Sequence, residues 1–270
     1  MIIYRKDAGA YLETLFVSAI ASILVTRFYL QLTNYPRLGM HGWHIAHMLW
    51  GGLFLLAANI ILIAMHNPRA TRIAAILGGA GFGLFIDELG KYITNDNNYF
   101  FAPATSIIYV IFVLLFLVIR FFAHKTEHLT DKDAPFKSLI QSVMKFRGFG
   151  TSVILFFIGI SLFTLVRSLL FLSGRATSPY QLDDISDIMQ FGSSLLSSTL
   201  AVCGALVFFK FRKFGYRLFR LSLLTSIFLT EVFDFYNHQL DALFILVFYL
   251  ITLVLVNAFS DRANASKAEK

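Results

Sequence analysis

Charge is what this 270-residue chain has least of: 14% of residues are Asp, Glu, Lys or Arg, against 57% hydrophobic, with a mean hydropathy of +0.69. Soluble domains carry nearer a quarter charged residues, so the composition excludes an ordinary water-soluble globule and points to an integral membrane protein. Cysteine is almost absent. The single Cys203 excludes an intramolecular disulfide and leaves the redox compartment open. The motifs of several enzyme classes are missing: there is no HExxH, GxSxG, CxxC, P-loop or GxGxxG. A basic stripe interleaved with exposed aromatics is missing too. The formal charge of +7 therefore reflects short basic loops between apolar runs, and a nucleic-acid partner is not expected.

Apolar runs are abundant. Eight stretches, near 11–33, 44–66, 71–94, 102–123, 149–173, 184–209, 216–238 and 240–260, are long enough to cross about 30 Å of hydrocarbon. The expected fold is all-α and polytopic: about eight transmembrane helices in two tandem four-helix repeats. Residues 1–123 form the first repeat, 124–148 a cytoplasmic linker, 149–260 the second repeat and 261–270 a tail. Lys and Arg concentrate in the breaks after the second, fourth and sixth runs, among them Arg69, Arg72, Lys132, Lys145, Arg212 and Arg217. The positive-inside rule then puts both termini in the cytoplasm of a cell-membrane protein. The run after Lys6 is too long for a cleaved signal peptide and reads as a retained first helix.

The repeat rests on polar positions 140 residues apart. Arg27 matches Arg167, His44 and His47 match Asp184 and Asp187, and Tyr109 matches Tyr249. Glu88 aligns with Glu231 after a small insertion. Crossing the same way, the two units would be related by an axis along the membrane normal.

The chain is organised around Gly78-Gly79-Ala80-Gly81-Phe82-Gly83-Leu84-Phe85-Ile86-Asp87-Glu88. Gly79 and Gly83 make a GxxxG pair, the spacing that lets helices approach closely. Two carboxylates follow at a depth where ionised groups are costly unless paired, hydrated or protonated. Arg27 lies about 16 residues into the first run, roughly 24 Å from its inner end and level with Glu88. The expected pairs are Arg27 with Glu88 and Arg167 with Glu231, with Lys91 neutralising Asp87 at i, i+4. Glu231, Asp234 and His238 share a face, as do Asp184 and Asp187, and His44 and His47. Nearly all intramembrane charge falls in the outer half of the bilayer; Ser197, Ser198, Thr199, Thr225 and Ser226 are the main polar steps further in.

Three functions compete. A cation- or proton-linked transporter or channel would use Arg27, Asp87, Glu88, Arg167, Glu231 and Asp234 for binding or transport. A metal-dependent membrane enzyme acting on a lipid or outer-face substrate would hold a divalent metal ion on His44, His47, Asp184, Asp187 and His238. A non-catalytic binding or sensor protein would use the same cluster to pair helices or recognise a small ion or lipid-like ligand. The lipid bilayer is the partner common to all three.

Overall fold

The computed structural model describes Arg5 and residues 7–33, 46–99, 101–127, 147–175 and 184–268, with side chains described as far as Ser260. Every regular element among them is a helix. In chain order these are α1 (Ala8–Leu32), α2 (His47–Ala64), α3 (Pro68–Asp87), a short α4 (Leu89–Ile93) and α5 (Ala102–Glu127). Then come α6 (Arg147–Leu172), α7 (Ile185–Phe208), α8 (Arg212–Thr225), a π-helical turn (Ser226–Thr230), α9 (Glu231–His238) and α10 (Ala242–Ala268). The chain divides into two compact units, Met1–Lys132 and Asp133–Lys270.

Seven helical segments among the described residues are long and apolar enough to cross a bilayer. Their outward faces carry Ile63, Leu206 and Phe244, each more than 70% exposed, while Asp87, Glu88, Glu231 and Asp234 are buried. A soluble protein distributes these residues the other way round. The chain is built for a lipid surround.

Two elements differ from the sequence reading. The third apolar run is not one helix to residue 94: α3 stops at Asp87, Glu88 sits in a turn, and α4 restarts at Leu89. The last two runs form one 49-residue apolar segment, Arg212–Ser260, interrupted near Gln239, whose φ is +52°. This segment doubles back. Phe219 and Leu223 near its start share a core with Val256 near its end, together with Phe157 and Ala201.

In the first unit α3 is the central helix, with α1 and α2 both packed along it. Its start follows from local chemistry: Asn67 Oδ1 accepts from Ala70 N at 2.7 Å, and Pro68 occupies the first helical position, where no N–H is required. The GxxxG pair does what its spacing implies. A Cβ on Gly79 would collide with Leu15 O, and one on Gly83 with Ala19 O and Ser22 Oγ, so α1 lies directly on the α3 backbone. That approach closes a core of Ala19, Ile23, Ile86, Ile108 and Phe112, and it sets α1 close enough for Arg27 to reach the end of α3.

Candidate functional site: two polar clusters, one in each unit

In the first unit the cluster forms where α3 breaks. Asp87 is the last residue of α3 and Glu88 occupies the turn; both are buried. Arg27 of α1 donates from Nε to Asp87 Oδ1 at 2.5 Å. His47, at the first position of α2, bridges the two acids, with Nε2 3.2 Å from Asp87 Oδ2 and Nδ1 2.8 Å from Glu88 Oε1. Carboxylate oxygens on both ring nitrogens suit an imidazolium, the form in which both nitrogens are donors. Lys91 Nζ stands 3.4 Å from Glu88 Oε2. Both contacts to Glu88 are ion pairs without hydrogen-bond geometry, so neither oxygen of this buried carboxylate receives an aligned donor.

Tyr99 completes the cluster. Its hydroxyl donates to Asp87 Oδ2 at 2.5 Å, and its ring lies 5.4 Å from the Arg27 guanidinium and 5.3 Å from Lys91 Nζ, within cation–π range. Burial, reinforced by the nearby Asp87 charge, raises the phenol above its ordinary range and keeps it a donor. Gly90 makes this placement possible. A Cβ there would stand 2.8 Å from Asn98 O and 2.9 Å from Tyr99 O, so only glycine lets the loop lie against α4. Thr94 Oγ1 pins the loop by donating to Gly90 O and accepting from Asn98 N.

The pairing differs from the expected one. Arg27 takes Asp87 and not Glu88, and Lys91 takes Glu88 and not Asp87. The turn at Glu88 is the cause, since it ends the helical register on which the i, i+4 expectation for Asp87 and Lys91 depended. Lys91 then reaches Glu88 at i, i+3.

In the second unit, the cluster lies between α7 and α9 and is held by amides. Gln190 Nε2 donates to Asp234 Oδ1 at 2.8 Å, while Asn237 Nδ2 donates to Asp187 Oδ1 at 2.9 Å and to Gln190 Oε1 at 2.6 Å. His238 Nδ1 lies 2.8 Å from Asp234 Oδ1, and its side chain is 58% exposed. Glu231 is 1% exposed, and its Oε2 has no partner among the described residues; neither does Thr230 Oγ1 beside it. Both flank the end of the π-helical turn, a distortion often found at functional sites. One turn further along, Ser197 Oγ lies 2.6 Å from Ser226 Oγ and 3.1 Å from Ser222 Oγ, and Ser222 Oγ donates to Ser197 O.

Arg167 does not join this cluster. It is exposed, on the strip of α6 that presents Phe163, Val166 and Leu170, and it forms no ion pair among the described residues. The expected Arg167–Glu231 pair is therefore not formed. The principal neighbours of α6 are α7 and α10, which turns its Arg167 strip outward.

The candidate metal ligands are dispersed. His44, like His41, Trp43 and Asp183, lies outside the described residues. His47 is engaged by Asp87 and Glu88, Asp187 by Asn237 and His238 by Asp234, while Asp184 is the exposed N-cap of α7 and makes no side-chain capping bond. Among the described residues no three His, Cys, Asp or Glu side chains form a group able to hold a metal ion.

Sequence reasoning missed Tyr99, Gln190 and Asn237. Gly90 was the available signal for Tyr99, and the signal for the amides was their spacing: Gln190 one turn beyond Asp187, Asn237 three residues beyond Asp234. Comparison with known proteins adds no relative to this picture: no family model, no curated protein and no solved structure matches the chain.

Proposed function

We propose that the chain is a cell-membrane protein of eight crossings, two tandem four-helix repeats with both termini in the cytoplasm, and that its second repeat carries out cation- or proton-linked transport. Length supports the eighth crossing. Drawn straight, the 49-residue Arg212–Ser260 segment would measure roughly 74 Å, more than twice the thickness of the hydrocarbon core. The Lys/Arg bias of the breaks supports the orientation.

The observation that carries the transport reading is buried Glu231, whose Oε2 has no hydrogen-bond partner among the described residues. Polar groups lie on either side of it along the helix: Asp234 and Asn237, bonded to Gln190 and Asp187, towards the outer end, and the Ser197–Ser222–Ser226 triad on the other side. From Asn237 to Ser222 the helix advances roughly 22 Å, most of the hydrocarbon thickness. Beyond Ser222 the packing is aromatic: Phe208 is stacked edge-to-face on Tyr216 at 5.1 Å and tilted against Phe219. Polar groups at one end and packed aromatics at the other suit alternating or gated passage rather than a permanent pore. The first repeat acts as the brace: its two carboxylates are already matched by Arg27, His47 and Lys91.

Flux measurements in proteoliposomes under imposed proton, sodium and potassium gradients test this reading. The expected result is flux of one of these ions, reduced about tenfold or more in Glu231→Gln and lowered by Ser226→Val. Absence of flux for all three ions, or equal flux in a folded Glu231→Gln protein, overturns it.

A further inference from the structure

We propose that the first unit binds one anionic phospholipid, with an acyl chain lying in the groove along α3 and the phosphate at Arg5. Thr71, Ala74, Ala75 and Gly78 of α3 recur at i, i+3, i+4 and i+7 and form the floor, which is low because these side chains are small. Leu15 of α1 and Leu55 and Leu62 of α2 form the walls. The groove is half open and its volume is about 390 Å³, within the range of small-ligand pockets. All of these residues belong to helices apolar enough to span a bilayer, so the compound that meets this groove is a lipid.

The mouth supplies the headgroup chemistry. Arg5 Nη1 donates to Thr71 Oγ1 at 3.2 Å, and the guanidinium lies 5.1 Å over the Tyr11 ring; Tyr11 and Thr71 both line the groove. A cation is thus anchored to α1 and α3 at the end of an apolar slot. Arg5 is exposed, and Thr71 engages one of its five N–H donors, leaving a planar fork for phosphate. Arg69 and Arg72, both exposed, stand in the first turn of α3, with Asp7 and Glu13 the acids in the opening turns of α1. Three arginines against two acids favour an anionic headgroup over a zwitterionic one, and basic pockets between membrane helices are known headgroup sites.

Native mass spectrometry of the full-length protein in detergent, titrated with phosphatidylglycerol or phosphatidylcholine, tests the assignment. One phosphatidylglycerol is expected to be retained about fivefold more tightly than phosphatidylcholine, the effect of roughly one basic contact. Arg5→Glu should erase that preference and leave phosphatidylcholine retention unchanged. Gly78→Leu should fill the slot and remove retention of both, since a Cβ there already meets Ala58 Cβ at 3.5 Å. Equal retention of the two lipids by the native protein, or an unchanged preference in Arg5→Glu, overturns the proposal. Should Gly78→Leu fail to fold, the Arg5→Glu comparison decides alone. The result is independent of ion flux.

Discussion

The two units bury acids in opposite ways. In the first, Asp87 and Glu88 are ringed by Arg27, His47 and Lys91, with Tyr99 stacked against the cations. In the second, Asp234 and Asp187 rest on the amides of Gln190 and Asn237, with half-exposed His238 also at Asp234, and Glu231 has an oxygen without a partner among the described residues. An ion-paired carboxylate is held in one place, because removing either partner strands a charge in a poor solvent. A carboxylate served only by neutral donors, or by none, remains available to an incoming cation or proton. Buried acids along one chain thus meet Arg, Lys and His in one unit and mainly amides in the other.

Helix packing explains the divergence. In the first unit α1 lies on α3 across Gly79 and Gly83, which brings Arg27 to Asp87. In the second unit α6 makes its main contacts with α7 and α10, and its Arg167 is exposed.

The largest effect should come from breaking the brace. Arg27→Ala or Asp87→Asn leaves the other member of a buried pair uncompensated and should cost on the order of 3–5 kcal/mol, read as a drop in unfolding temperature in detergent. An effect below about 1 kcal/mol would mean that water or lipid headgroups solvate the pair, and the contrast between units would fail. Next in size is Gly83→Leu, which forces α1 off α3 and should cost roughly 1–3 kcal/mol by overpacking. Gly159→Ala on α6, where a Cβ meets nothing within 4 Å, is its control and should be neutral or mildly stabilising. Ser197→Ala removes the hub of the serine triad and should cost about 1–2 kcal/mol through the unsatisfied groups left behind. The smallest effects belong to the second unit. Glu231→Gln and Arg167→Ala should each change stability by no more than about 0.5 kcal/mol, because neither removes an ion pair. A Glu231→Gln cost as large as that of Asp87→Asn would show that Glu231 is structural and would count against the transport reading.

Much of the architecture was legible locally. Hydropathy placed most apolar segments to within a few residues of their observed ends, the third run (which stops at Asp87) and the merged last two excepted, since a helix in lipid must satisfy its own backbone and needs a fixed length of apolar sequence. The GxxxG spacing announced the α1–α3 approach, and the acids at 87, 88, 231 and 234 are buried as their sequence positions implied. Partner choice was not legible. Helical periodicity assigned Lys91 to Asp87, and the turn at Glu88 reassigned it. Nor did it reveal Tyr99, whose place depends on a loop seated against Gly90, or the amide network, which requires α7 and α9 to be in register.

The sequence by itself determined that this chain is helical, lipid-embedded and supplied with buried acids, because each of those properties follows from transfer energies and spacing along a single segment. Tertiary structure decided which acids meet an Arg or Lys and which do not. That outcome depends on distances of a few ångströms between helices far apart in sequence: glycine-mediated contact brings Arg27 to 2.5 Å from Asp87, while the rotation of α6 leaves Arg167 outside the α7–α9 cluster. Electrostatic pairing falls off steeply across such gaps, so a helix shift too small to alter any hydropathy profile is enough to change what a carboxylate does.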